Sequence, residues 1–172
     1  MTANMQAKNG AVVNFYMPGE YTQALADGKT VKLTMDTEYP VGDTAKIKVC
    51  TDADNAFALS LRIPAWSKQT SVTVNGEAID AAAGTYCVIE RAWKCGDEIT
   101  VKFDMRTQII YAADIDPNAD AKSICHLALQ RGPVMLARDS QLGEDVTSAL
   151  TVVDNGGYAE VEAVAVDAIP VK

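Results

Sequence analysis

Three acidic residues, Glu90, Asp97 and Glu98, are the nearest candidates for acid/base chemistry in this chain. Two carboxyl groups about 5–10 Å apart across a cleft can cleave a glycosidic bond, one as acid and the other as nucleophile or base. Glu90 precedes a turn, and the other two residues begin a strand directly after Gly96. Such positions are typical of solvated charges at the rim of a sheet. We therefore expect no catalytic residue here.

A second acidic stretch has the alternating spacing of a cation-binding loop. Its oxygen-bearing residues are Asp114, Asp116, Asn118 and Asp120. Oxygen ligands at alternate positions suit Ca²⁺, as at the start of an EF-hand loop. The sixth position, however, is Ala119 instead of glycine, and the twelfth is Cys125 instead of glutamate. A solvated loop with Asx turns is therefore favoured over a calcium site.

The cysteines and the single histidine are further candidates for chemistry. The four cysteines are Cys50, Cys87, Cys95 and Cys125. They contain no C-x-x-C spacing, which disfavours a zinc knuckle or a redox pair. Each lies in an apolar or alternating context, so we expect buried free thiols rather than a disulfide or metal ligands. His126 alternates with Ile124 and Ala128 on one strand, which favours a packed side chain, with pH sensing as the alternative.

Aromatic side chains are the most realistic ligand-binding candidates. Sugars stack on exposed tryptophan or tyrosine rings. Trp66 and Trp93 each end a predicted strand, and Tyr86 is a further candidate. The other hypothesis is that the tryptophans fill the core or an interface between domains, because large aromatic side chains dominate such burial. With only 6% aromatic residues in the chain, we favour the packing role.

The elements that would position these residues are strands. Val31, Leu33 and Met35 share one face, whereas Lys32 and Thr34 take the other. The same two-residue alternation recurs over 45–49, 57–63 and 99–105. One-sided strands of this kind bury one face against a second sheet. The pattern therefore predicts an all-β fold, an antiparallel, jelly-roll-like β-sandwich.

Turn residues and a change of pattern give the domain organisation. Asn75-Gly76 is the strongest two-residue hairpin signal, because both central residues must adopt positive φ. After residue 105 the pattern changes. Further strands are predicted over 108–111, 124–130, 134–137 and 161–169. We therefore predict one sandwich over 11–105 and the strands of a second, partial β unit over 106–172.

Composition excludes some classes of partner. The net charge of −8 and the pI of about 4.6 disfavour nucleic acid and anionic membrane surfaces, because both would be repelled. No window approaches the roughly 18 consecutive apolar residues of a membrane helix. Residues 1–10 lack a signal-peptide pattern, so localisation stays open, with the cytoplasm slightly favoured.

Several motifs, in order, resemble those of a known family. These are the segments 13–18, Leu61-Arg62-Ile63-Pro64-Ala65-Trp66, Glu90-Arg91-Ala92-Trp93 with Lys94-Cys95-Gly96-Asp97 after it, and Leu129-Gln130-Arg131-Gly132-Pro133. They run from residue 13 to residue 133, and the resemblance that they carry covers most of residues 11–137. The chain resembles the C-terminal β-sandwich region of glycoside hydrolase family 127, the β-L-arabinofuranosidase-like proteins.

This resemblance implies a role without catalysis. In the family, an (α/α)6 barrel holds a cysteine nucleophile, a zinc ion and a glutamate acid/base, and no position of this chain matches them. The resemblance thus implies a module without a cofactor of its own that packs against a barrel. An autonomous module that binds arabinose-containing glycans on Trp66 or Trp93 is the alternative. We expect Arg131 to contact a partner or an internal acid, and an exposed domain face to allow self-association.

Overall fold

The computed structural model describes residues 4–7, 10–111, 115, 127–137 and 152–160. The chain divides into two compact units, Met1–Met105 and Arg106–Lys172. The elements of the first unit are β1 (Asn4–Ala7), β2 (Gly10–Val13), β3 (Gly19–Ala24), β4 (Thr30–Thr37), β5 (Thr44–Thr51), β6 (Phe57–Arg62), β7 (Ser71–Val74), β8 (Glu77–Ile79), β9 (Tyr86–Arg91) and β10 (Asp97–Lys102).

The first unit contains two sheets. The smaller sheet has the order β1-β2-β6-β9, and the larger one has the order β3-β4-β5-β10-β7-β8. All pairs in the larger sheet are antiparallel, whereas β2 and β6 in the smaller sheet run parallel. The two sheets confirm the predicted β-sandwich, and the parallel pair is a feature that the alternation pattern does not reveal.

A close backbone approach allows the parallel pairing of β2 with β6. Gly10 lies opposite Ala58 in the register and has a φ of 148°. A Cβ atom at this position would lie only 1.8 Å from the carbonyl oxygen of Ala58. Only glycine lacks that atom, so Gly10 lets the first residue of β2 reach its partner strand.

One apolar core joins the two sheets. Leu33, Ile47 and Ile99 point inward from the larger sheet, and Leu59 and Leu61 point inward from the smaller one, all with no exposed surface. Their neighbours along each strand face outward, as the two-residue alternation predicts. Burial of these aliphatic side chains is the main term that stabilises the sandwich.

The Asn75-Gly76 turn has the predicted geometry. Asn75 has a φ of 52° and Gly76 a φ of 86°, so both central residues of the β7–β8 hairpin are left-handed. This is the pattern of a type I′ turn, whose twist matches that of the flanking strands.

The second unit contains one antiparallel sheet. Its strands are β11 (Thr107–Tyr111), β12 (Leu127–Arg131), β13 (Val134–Leu136) and β14 (Tyr158–Ala159), in the order β13-β12-β11-β14. Strands β11 and β12 overlap the predicted strands and each extends one residue beyond them, to Thr107 and to Arg131, whereas β13 falls within its prediction. Gly132 and Pro133 form the turn before β13. The strand predicted over 161–169 and residues 124–126 lie outside the described residues.

The end of β10 differs from the prediction. The alternation over 99–105 predicts a strand to residue 105, but β10 ends at Lys102. Phe103 and Asp104 remain buried beyond the strand, and the backbone N–H of Asp104 donates to the Ser67 hydroxyl at 2.8 Å. Side-chain burial thus continues past the end of the ladder, but it no longer alternates, because Asp104 is buried next to Phe103.

Candidate functional site

Trp93 is an internal structural residue. It follows β9, its side chain is only 3% exposed, and its indole N–H donates to the carbonyl oxygen of Phe57 at 3.1 Å. The guanidinium of Arg91 lies 5.3 Å from the ring centroid. Because the ring is enclosed by the core and covered by a cation, it offers no exposed face on which a sugar could stack.

Trp66 closes one edge of the core. Its ring is half-buried and lies 6.5 Å from the Tyr39 ring, with an interplanar angle of 10°, and 5.9 Å from the Phe103 ring. Tyr16 completes this aromatic cluster, and its O–H donates to the carbonyl oxygen of Arg62 at 3.0 Å. Burial raises the pKa of Tyr16, so this phenol stays neutral and keeps the hydrogen bond.

Tyr86 is the most exposed of the three aromatic candidates. It begins β9 opposite Arg62, and its side chain is 47% exposed. Its O–H donates to Asn14 Oδ1 at 2.7 Å. This hydrogen bond fixes the phenol at the outer face of the smaller sheet, so the ring can contact a partner without first being ordered.

Asp97 is not the solvated rim charge that the sequence predicted. It is a buried acceptor at the start of β10, where Asn75 Nδ2 donates to Oδ1 at 2.8 Å and the Lys94 N–H donates to Oδ2 at 2.9 Å. The Arg91 guanidinium lies 4.0 Å from Oδ2. Burial alone would raise the pKa of Asp97, but these hydrogen bonds and the cation lower it. The Asp97 carboxylate therefore links the turn at Asn75 to the turn at Lys94. Because its pKa is lowered, it stays ionised and is not suited to donate a proton as a general acid.

The other two carboxylates of the predicted set stay at the surface. Glu90 is exposed on β9 and Glu98 is partly exposed on β10. Two hydrogen bonds join Asn75 to the backbone of Glu98. The Glu98 N–H donates to Asn75 Oδ1 at 2.8 Å, and the backbone N–H of Asn75 donates to the carbonyl oxygen of Glu98 at 2.8 Å. Asn75 therefore holds the main chain of Glu98 and not its carboxylate.

An open depression of about 330 Å³ lies beside the β4–β5 turn, at a place that the sequence did not single out. Its lining includes three acidic side chains, those of Asp36, Glu38 and Asp43, and the basic side chain of Lys46. Asp43 accepts from the Thr44 hydroxyl at 2.7 Å and lies 3.6 Å from Lys102 Nζ. The hydrogen bond from Thr44, more than the lysine, lowers the pKa of Asp43, so this carboxylate stays ionised and paired.

The expectation of four free thiols is wrong for two of them. Cys50 on β5 and Cys95, in the turn before β10, form a disulfide, and both residues are exposed. The Gly96 N–H donates to the carbonyl oxygen of Val49 at 3.0 Å, which brings this turn against the end of β5. The 45-residue separation of the two cysteines hides this proximity in the sequence. Cys87 is a buried free thiol, as predicted.

The described cysteines do not suit the zinc site of the resembled family. Two of them are bonded to each other, and the Cys87 thiol donates to the carbonyl oxygen of Asp80 at 3.5 Å. Within the described ranges, no group of three or more His, Cys, Asp or Glu side chains converges. The predicted calcium loop, Asp114, Asp116, Asn118 and Asp120, lies outside the described residues, as do Cys125 and His126.

Arg131 lies at the end of β12 and is half-buried. In the ladder it is paired with Thr107 on one side and Val134 on the other. Its predicted contact with a partner stays a prediction. In the same described part of the chain, no helix is long and apolar enough to cross a membrane.

These features define a class of protein, a β-sandwich module whose tryptophans and buried carboxylate serve its own packing. A family model described as the middle domain of β-L-arabinofuranosidase GH127 matches residues 10–105. The chain therefore belongs to glycoside hydrolase family 127. No curated protein matches it.

Solved structures agree with this assignment. A GH127 β-L-arabinofuranosidase from Geobacillus stearothermophilus T6 is 30% identical, with a TM-score of 0.65 over 77% of this chain and 21% of its own. A protein described as a glycoside hydrolase is 27% identical, with a TM-score of 0.68, and the match covers 77% of this chain and 22% of that protein. A GH127 β-arabinofuranosidase is 26% identical, with a TM-score of 0.60, and the match covers 73% of this chain and 22% of that protein. The chain thus spans about a fifth of the length of these relatives.

Proposed function

We propose that this chain is a non-catalytic accessory domain that packs against and supports the catalytic (α/α)6 barrel of a GH127-type glycoside hydrolase. The observation that carries the proposal is the match of residues 10–105 to the middle domain of that family. The relatives named above are about five times as long as the part that the chain covers, which leaves room in them for a separate catalytic domain.

The side-chain chemistry supports the same proposal. Asp97 already accepts hydrogen bonds from Asn75 and Lys94, so it is not available as the acid of a carboxylate pair. Trp93 is buried and Trp66 packs against Tyr39. Asp97 and Trp93, two residues that could have served catalysis or sugar binding, therefore stabilise the sandwich itself.

The direct test of this role is hydrolysis by the purified chain. We expect the rate of cleavage of a chromogenic β-L-arabinofuranoside to equal that of a buffer blank, with or without added zinc. Activity above the blank that persists through repeated purification, and follows the protein peak, would overturn the non-catalytic role.

Autonomous sugar binding is the alternative function. Tyr86 favours it, because its ring is 47% exposed and is held by Asn14. Trp66, which is stacked on Tyr39, is only half-buried. A binding module would show saturable affinity for arabino-oligosaccharides that depends on one of these two rings, whereas a supporting domain would show none.

A further inference from the structure

The Cys50–Cys95 disulfide lies at the surface of the first unit. Both cysteines are exposed, Cys50 on the outward face of β5 and Cys95 in the turn between β9 and β10. Cys87, by contrast, is a free thiol that is only 4% exposed. A thiolate must reach a sulfur atom directly in order to attack a disulfide, so access to the sulfurs governs the reaction. Cys50 and Cys95 are therefore open to reagents in solution, whereas Cys87 is shielded.

The apolar core of the sandwich lies on the other side of the sheet from this disulfide. Cys50 faces outward on β5, whereas Val49 and Ile47 on the same strand are buried in the core. All residues of β10 pair with β5 as well, from Asp97 to Lys102. Domains that need disulfides in order to fold are typically those without a sufficient core. Since this domain has such a core, we expect the two strands to stay paired when the bond opens.

Two anchors confine the turn that carries Cys95. Before the turn, the ring of Trp93 is buried, and its indole N–H donates to a backbone carbonyl oxygen of β6. After the turn, the Asp97 carboxylate accepts a hydrogen bond from the β7–β8 turn. Only residues 94–96 lie between these anchors. Loss of the S–S bond therefore frees a short segment and not the strands beside it.

Further contacts hold this turn against β5 without the S–S bond. The Gly96 N–H donates to the carbonyl oxygen of Val49 at 3.0 Å. The Cys95 sulfur lies 3.8 Å from the carbonyl oxygen of Thr51, so a thiol at this position has an acceptor within reach. The two thiols of the reduced form therefore stay beside each other, and their proximity favours renewed closure of the bond.

We propose, independently of the domain's role beside a catalytic barrel, that Cys50 and Cys95 form a reversible redox site, which a dithiol reductant opens while the domain stays folded. A thiolate of the reductant attacks one of the two sulfur atoms, the S–S bond breaks, and the other cysteine leaves as a thiolate that takes up a proton. The second thiol of the reductant then displaces the first cysteine. The protein thereby gains two electrons and two protons, and the reductant becomes a cyclic disulfide.

This redox site makes the stability of the domain depend on its surroundings. The closed form has the loop-closure stabilisation of a disulfide, and the open form lacks it. Oxidising compartments keep such a bond closed, whereas the thiols of a reducing compartment open disulfides that they can reach. The same fold therefore has two levels of resistance to unfolding, which the thiol–disulfide balance around it selects.

The test treats the oxidised 172-residue chain with dithiothreitol under native conditions, after which iodoacetamide blocks the free thiols for peptide mass spectrometry. A Cys125→Ser background is used, because Cys125 lies outside the described residues. We expect Cys50 and Cys95 to be labelled together, at a rate that doubles with the dithiothreitol concentration, and the far-UV circular dichroism to stay unchanged. Cys87 is the internal control and should be labelled about a hundredfold or more slowly, because its exposure requires the sandwich to open.

Reoxidation and a single variant complete the test. After removal of dithiothreitol, oxidised glutathione should restore the bond and the original melting temperature, with the glutathione reduced to its thiol. In Cys50→Ser, the freed Cys95 should be labelled without any reductant while Cys87 stays protected.

Three results would overturn the proposal. One is labelling of Cys50 and Cys95 only together with Cys87, or with loss of the β-sheet signal, because the bond would then open only on unfolding. Another is a labelling rate that does not depend on the dithiothreitol concentration. The third is failure of oxidised glutathione to restore the bond, which would make the opening irreversible.

Discussion

The side-chain amide of Asn75 donates to the carboxylate of Asp97 at 2.8 Å and so joins the β7–β8 hairpin to the start of β10. The same asparagine has a left-handed backbone and also binds the main chain of Glu98. One turn residue thus determines the shape of its own hairpin and holds the neighbouring strand. Because this hydrogen bond lies within the sandwich, we assign Asp97 a role in the stability of the domain.

Replacement of Asp97 should destabilise the domain. In Asp97→Asn, one oxygen becomes an NH₂ group that faces the Lys94 N–H or the Asn75 amide, and the charge opposite Arg91 is lost. An unsatisfied buried donor costs about 1–3 kcal/mol, and we expect a loss of that size in urea unfolding. Asp54→Asn, at an exposed position, is the control. Equal stability of the two variants would contradict the buried role of Asp97.

The same residue contributes to the pH dependence of stability. Because the pKa of Asp97 is lowered in the folded state, its contribution is present above the unfolded pKa of about 3.9 and is lost as the pH falls through the folded value. Between pH 6 and the acid limit of folding, the parent protein should therefore lose more stability than Asp97→Asn. The pKa values of Asp43 and Asp52 are also lowered, but these carboxylates are present in both proteins.

The Cys50–Cys95 disulfide should be detectable and stabilising. It closes a segment of 45 residues, and loop-closure entropy predicts a stabilisation of about 4 kcal/mol at this length. We expect a reducing agent to lower the melting temperature of the parent and to leave a Cys50→Ser, Cys95→Ser double variant unaffected. Rapid alkylation of both cysteines in the native, non-reduced protein would show that the bond does not form.

The two tryptophans should differ in their contributions to stability. Trp93→Ala removes a buried ring and leaves the Phe57 carbonyl without its donor, so a loss of about 3–5 kcal/mol is expected. Trp66→Ala should cost less, because its ring is only half-buried. Denaturant unfolding of both variants measures the difference. A larger loss for Trp66 would contradict the positions described for the two rings.

Gly10 should resist even a one-carbon substitution. In Gly10→Ala, the new Cβ would meet the Ala58 carbonyl oxygen, so β2 must move away from β6 or the variant must unfold at lower denaturant concentration. Gly28→Ala is the matched control, because its φ of 82° is also unfavourable for alanine but no atom lies within 4 Å of the new Cβ. A similar loss in both variants would assign the effect to backbone strain and not to the close approach.

The sequence predicted what depends on local pattern and missed what depends on long-range pairing. The alternation around Leu33 and Ile47 and the Asn75-Gly76 turn predicted the sandwich, because side-chain burial and turn geometry are encoded within a few residues. The parallel pairing of β2 with β6 depends on segments nearly 50 positions apart, and no local pattern predicted it.

The candidate site shows the same division. Asp97 has the sequence context of a rim charge, and its burial depends on Asn75 and Arg91, which come from other elements. Cys50 and Cys95 likewise look like separate strand residues until the Gly96 backbone brings one beside the other. The placement of Trp66 and Trp93 at strand ends was visible in the sequence, but the depth of each ring was not, because depth depends on residues that other strands contribute.

The most direct test of the central claim is a titration of the purified chain with arabino-oligosaccharides, followed by tryptophan fluorescence. Trp66→Ala and Tyr86→Phe are measured in parallel, the second because it keeps the ring and removes the hydroxyl bound to Asn14. A domain that supports a catalytic barrel predicts no saturable change at millimolar sugar in any of the three proteins. Saturable binding by the parent that is lost in Trp66→Ala would contradict the account and identify a carbohydrate-binding module.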